Sequence, residues 1–135
     1  MKTVKTKFVP CQALFAEDYD ISQELIKEML ELMGIRVDLA DDGEQALELY
    51  LKNDYDILFL DIQMPKKDGL QVTREIRSMA KKQPVIIAIT AGAMEGDRNK
   101  CLEAGMDDYI AKPVEMHHLE EVLKKYIPII EPIVK

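Results

Sequence analysis

No stretch of this chain approaches the ~20 consecutive apolar residues that a membrane-spanning helix requires. Cysteine is scarce. Cys11 and Cys101 stand far apart with no CxxC or metal-ligand spacing, so nothing suggests a disulfide framework, and both read as reduced, semi-buried small hydrophobes. Positive charge is in deficit: 18 Lys and Arg face 25 Asp and Glu, for a net charge of −7 and a pI near 4.9. That balance argues against gripping a nucleic-acid backbone and leaves room for cations near clustered acids. Internal repeats and low-complexity segments are absent. A secretory leader is also poorly supported. The basic "MKTVKTK" is followed by a short apolar stretch that Pro10 and Gln12 interrupt, and the end of that stretch is better used as a first strand. The chain is therefore read as cytoplasmic.

What is present is 135 residues, 47% hydrophobic and 32% charged, enough for one globular domain with a single proper core. Periodicity switches back and forth between strand and helix. "QALFA" (12–16) reads as a short apolar strand. Asp20 then opens a helix with Gln23 placed as in a capping box, with Ile21, Leu25, Ile26, Met29, Leu30 and Met33 as its apolar positions and Gly34 as its stop. "RVDLA" (36–40) alternates like a strand nearer a sheet edge, and Asp42 caps a second helix with Gln45 three residues on. Ile57 to Leu60 form an unbroken apolar run, the mark of a strand buried on both faces. A third helix is expected over 69–82, a strand over 84–90, a helix over 95–105 closed by Gly105, a strand over 107–111, and a last helix from about Glu115 to Ile127. Five strand–helix units in strict alternation imply a parallel sheet with helices on both faces. Residues 1–10 read as a polar, frayed leader, 11–127 as the domain, and 128–135 as an apolar tail or the start of a linker. The Lys pairs at 66–67, 81–82 and 124–125, and His117–His118, read as solvent-facing.

In an open α/β sheet, ligands bind beyond the carboxyl ends of the strands. There the first strand ends in Glu17-Asp18, the third in Asp61, the fourth in Thr90-Ala91-Gly92, and the fifth runs to Lys112-Pro113. Two carboxylates ~5 Å apart repel by about 3 kcal/mol at an effective dielectric of 20. Three on one rim need compensating cations, and Lys112 offers a single charge. A hard divalent ion supplies the rest, and Mg²⁺ suits a site with few protein ligands whose shell a phosphate completes. Residue type alone also allows Thr90 as an ordinary strand residue and Tyr109 as core filler.

Taken together and in order, "AEDYDISQEL", "DGEQALE", "YDILFLDIQMPKKDGL", "IIAITAGA" and "CLEAGMDDYIAKP" resemble the receiver domain of two-component response regulators over about residues 11–127. The Glu-Asp pair and "DDYIAKP" are especially similar to receivers attached to hybrid histidine kinases. The resemblance implies a flavodoxin-like (βα)5 fold, with strands in the order 2-1-3-4-5. It implies Asp61 as the phosphoacceptor, with Asp18 and Asp61 holding Mg²⁺ (Mn²⁺ as an alternative) directly, Glu17 through water, and the Gln63 backbone carbonyl as a further ligand. It implies that Lys112 pairs with phosphoryl oxygens, aimed inward by a cis bond before Pro113, and that Thr90 bonds the phosphoryl group while Tyr109 turns inward as Thr90 moves. The implied partners are a histidine kinase or a histidine phosphotransfer domain, with output by protein contact through the fourth helix, fifth strand and fifth helix. Such a domain promotes only its own phosphorylation and dephosphorylation. A fragment of a hybrid kinase is the leading context, and a stand-alone regulator the alternative. Two departures stand out: Glu17 replaces the commoner Asp, and Gly92 adds flexibility in "TAGA". An aspartyl-phosphate phosphatase would want an acid where Gln63 stands. An FMN carrier would want a phosphate-cradling loop where "EDYD" repels phosphate.

Overall fold

The structure, a computed structural model, describes residues 7–8, 11–64, 66–79, 81–91, 95–127 and 129–130. Gly92 and the rest of the leader and tail lie outside the described residues. In chain order the sheet strands are β1 (Gln12–Ala16), β2 (Arg36–Ala40), β3 (Ile57–Asp61), β4 (Val85–Thr90) and β5 (Asp108–Ala111). They alternate with α1 (Asp20–Leu32), α2 (Gly43–Lys52), α3 (Gly69–Arg77), α4 (Glu95–Ala104) and α5 (Met116–Tyr126). All four pairings are parallel, in the order β2-β1-β3-β4-β5. The strand order therefore reverses between β1 and β3.

Alternation along each strand sends side chains to two cores. Ala13, Phe15, Ile57, Phe59, Ile87 and Ile89 face one side, where Ile26 and Leu30 of α1 and Leu119 and Leu123 of α5 cover them. Leu14, Leu58, Leu60, Ile86 and Ala88 face the other, under Ala46 and Tyr50 of α2, Val72 and Ile76 of α3, and Cys101 of α4. β3 is buried along its whole length, which explains its unbroken apolar run.

Several expectations are corrected. Asp20 opens α1, but the cap is Tyr19, without a side-chain hydrogen bond, so Gln23 belongs to no capping box. The buried positions of α1 are Gln23, Ile26 and Leu30, spaced at i, i+3 and i+7. At about 100° of rotation per residue, Ile21 and Leu25 each stand about 200° from Gln23, off that face, and are 64% and 49% exposed. α3 stops at Arg77 rather than at 82 because side chains take its terminal carbonyls. Ser78 Oγ donates to the Glu75 carbonyl at 2.7 Å, and Gln83 Nε2 donates to those of Ile76 and Met79 at 3.0 and 3.1 Å. Lys67 pairs with Glu75, and Lys81 donates to the carbonyls of Tyr50 and Asn53, so neither is merely solvated. Lys7–Phe8, within the segment read as frayed, pairs antiparallel with Ile129–Ile130. Asp42 caps α2 as expected, accepting from the Gln45 amide, and Asp68 caps α3, accepting from the Gln71 amide, both at 2.8 Å.

Candidate functional site

β1, β3 and β4 end at one rim because their register is nearly level: Ala16 lies opposite Leu60, and Asp61 opposite Ile89. The next residue of β1 is Glu17, whose amide still donates to the Ala40 carbonyl at 3.1 Å. β5 delivers Lys112 to the same rim, its amide bonded to the Thr90 carbonyl at 2.7 Å, and the Lys112–Pro113 peptide is cis.

Asp61 and Glu17 are buried, at 3% and 2% exposure, and share one cation. Lys112 Nζ lies 2.7 Å from Asp61 Oδ2 and 3.3 Å from Glu17 Oε1. Burial by itself lowers the Lys112 pKa, but the hydrogen bond to Asp61 and the charges of Asp61 and Glu17 outweigh it and hold the ammonium above its ordinary value. The second Asp61 oxygen, Oδ1, accepts from the Gln63 amide at 2.9 Å. Glu17 Oε2 is buried with no hydrogen-bond partner. Asp18 is exposed on the rim beside it. Three carboxylates and one ammonium leave a formal charge of −2 here, and a buried carboxylate oxygen without a partner is a costly arrangement that a cation would relieve. The donor set, all oxygen, fits a hard divalent ion.

Of the other residues singled out, Thr90 is 2% exposed at the end of β4, and Gln63 and Pro113 are exposed. Tyr109 is half-buried against the second core, with the Arg98 guanidinium 5.7 Å from its ring centroid. Leu25, Ser22, Lys112, Pro113 and Val114 wall a groove that opens beside Glu17.

Gln23 is the residue that sequence reasoning misplaced. Its Nε2 donates to the Glu17 carbonyl, to the Ala40 carbonyl at 3.3 Å and to Asp41 Oδ1 at 2.9 Å, tying the loop after β1 to that after β2. The signal was available: Gln23 stands three residues before Ile26 and seven before Leu30, on the face that meets the sheet. A buried amide there needs acceptors, and the loop supplies three.

The comparisons with known proteins agree with this geometry. Hybrid signal transduction histidine kinase I of Dictyostelium discoideum is 41% identical over 130 residues, covering 90% of this chain and 8% of that protein. A crystal structure of the receiver domain of the sensor histidine kinase PA1611 from Pseudomonas aeruginosa, with a magnesium ion coordinated in the active-site cleft, is 39% identical. Its TM-score is 0.80, over 87% of this chain and 98% of that one. A co-crystal structure of the Saccharomyces cerevisiae histidine phosphotransfer protein Ypd1 with the receiver domain of its downstream response regulator Ssk1 matches at TM-score 0.82 and 26% identity. The match covers 88% of this chain and 90% of that one. The chain spans only a small fraction of the curated relatives, 8% and 7% of the first two. Among the described residues no helix is long and apolar enough to cross a membrane. The model of the response regulator receiver domain matches residues 13–124, and the chain belongs to that family.

Proposed function

We propose that this receiver takes a phosphoryl group from a phosphohistidine onto Asp61 and thereby switches its surface between two states. The observation that carries the reading is the pair of buried carboxylates, Glu17 and Asp61, held by one lysine at the C-terminal ends of β1 and β3. A carboxylate oxygen of Asp61 attacks phosphorus, the P–N bond to the donor imidazole breaks, and its electron pair leaves with the imidazole. The transfer asks for positioning and charge neutralisation more than for a strong base. Lys112 already stands 2.7 Å from Oδ2 and turns to the phosphoryl oxygens. The Gln63 amide fixes the carboxylate through Oδ1. Asp18, Asp61, the Gln63 backbone carbonyl and, through water, Glu17 are the groups that would hold Mg²⁺, with Mn²⁺ as an alternative. When bound, the ion supplies positive charge to the equatorial oxygens.

Phosphorylation adds roughly two negative charges to the rim. The Thr90 hydroxyl moves toward them, and Tyr109 follows into the space it leaves, which changes the face made by α4, β5 and α5. The donor is a histidine phosphotransfer domain or a histidine kinase, and the chain works in the cytoplasm as the receiver part of a hybrid kinase. A phosphatase reading is disfavoured by Gln63, whose amide cannot protonate a leaving group.

Intact mass after incubation with acetyl phosphate and Mg²⁺ tests the acceptor chemistry. A single phosphoryl adduct is expected, lost in Asp61→Asn and in EDTA. An adduct that persists in Asp61→Asn overturns the assignment.

A further inference from the structure

Glu115, His117 and His118 form a cluster that the phosphoacceptor site does not use. Glu115 occupies the N-cap position of α5, yet its carboxylate makes no capping hydrogen bond. Its Oε1 instead lies 4.0 Å from His117 Nε2 and 3.8 Å from His118 Nδ1. One ligand-capable atom from each of the three residues lies within 4.8 Å of the other two. The two imidazole rings are 4.0 Å apart between centroids. His118 Nδ1 is shut off from solvent and has no hydrogen-bond partner, so a ring nitrogen with a lone pair or a proton to share faces its neighbours unsatisfied.

We propose that Glu115, His117 and His118 bind one Zn²⁺ ion at the first turn of α5. Two imidazole nitrogens and one carboxylate oxygen form a ligand set that zinc accepts, with water completing a tetrahedron. Imidazole selects zinc and its transition-metal neighbours over Mg²⁺, which takes oxygen, so the rim at Asp61 and this cluster draw different ions. Zinc–ligand bonds of about 2.0–2.2 Å place tetrahedral ligands roughly 3.4 Å apart. The two separations from Glu115, 3.8 and 4.0 Å, therefore close by about half an ångström, and the two imidazole nitrogens, within 4.8 Å of each other, by up to about 1.4 Å, through rotations of these partly exposed side chains. The positive end of the α5 dipole opposes a cation at this turn, and the Glu115 carboxylate offsets it. All ligands come from four consecutive positions, so binding orders little chain. His118 also lines the groove formed with Arg98, Asp108, Tyr109 and Lys125, so the ion draws one wall of that groove toward Glu115.

Calorimetric titration of Zn²⁺ into the full chain, in buffer saturated with Mg²⁺, tests the site. One zinc per chain is expected. Loss of an outer-shell partner commonly costs 10–100-fold in affinity, so His117→Ala and His118→Ala should each weaken binding by about tenfold or more. Glu115→Gln should lose less, and Asp61→Asn should bind as the parent does. Zinc-induced amide shifts should centre on residues 114–122. Undiminished binding to the His117→Ala/His118→Ala double variant overturns the proposal. So do shifts centred on Glu17 and Asp61, or the absence of binding up to about 100 µM zinc. The three side chains belong to neither hydrophobic core, and circular dichroism verifies that each variant remains folded.

Discussion

Lys112 is the residue on which the rim balances. Among the described residues it is the one ammonium hydrogen-bonded to Asp61, and it also reaches Glu17 at 3.3 Å, so removing it leaves two buried carboxylates without it. Lys112→Met, measured by urea denaturation without Mg²⁺, should cost about 1–3 kcal/mol near neutral pH, the usual penalty for stranding buried acceptors. The pH dependence follows from the raised pKa. A lysine held above its ordinary 10.5 in the folded chain contributes its full stabilisation below that value and loses it as pH rises through the folded value. The gap between parent and variant should thus stay level up to about pH 10.5 and shrink only beyond it. A gap that closes near pH 7 would locate the stabilisation elsewhere. At this scale the sequence singled out Glu17, Asp61 and Lys112, because a charge at the end of an apolar run is visible as an anomaly, and the structure places the three together. The sequence misplaced Gln23, because an amide on a helix is equally at home in a cap or in a core until its acceptors are known.

Elements hold the rim by close backbone approach. α3 begins at Gly69, and a Cβ there would stand 2.5 Å from the Asp61 carbonyl oxygen. The start of α2 is similarly tight, with a Cβ on Gly43 falling 2.0 Å from the Lys67 carbonyl oxygen. Both neighbours are backbone, which cannot rotate aside. Gly69→Ala should therefore destabilise by about 1–3 kcal/mol in denaturant titration, as overpacking does. It should also slow phosphoryl uptake, since the peptide that carries Asp61 must shift. A variant with unchanged stability and unchanged uptake would show that this contact yields freely. The start of α3 at Gly69 was legible, and Asp68 caps it. Helix ends were less legible. The pattern of α3 runs on past Arg77, and Ser78 and Gln83, folded back onto the terminal carbonyls, end it there.

For the whole molecule, if the proposed cation binds at the rim of three carboxylates and one ammonium, folding and cation binding become one equilibrium. Mg²⁺ at ten times its dissociation constant should raise the stability by about 1.4 kcal/mol, seen as an upward shift of the melting temperature. Asp18→Asn should blunt that shift at the same Mg²⁺ concentration. An equal shift in the variant would place the ion away from this rim. The exposed position of Asp18 makes it the informative substitution, because its loss opens no cavity in the core.

The sequence by itself determined the alternation of strands and helices, the two-faced burial of β3, and the acids and lysine at the strand ends, because these depend on local period and on charge placed against apolar runs. Tertiary structure decided the rest. Gln23 and Leu25 sit two residues apart, yet one is buried in hydrogen bonds and the other is exposed on a groove, a distinction set by where the sheet lies rather than by residue type. The antiparallel pairing of Lys7–Phe8 with Ile129–Ile130 likewise joins segments more than a hundred residues apart, and no local pattern announces a contact made by two residues on each side.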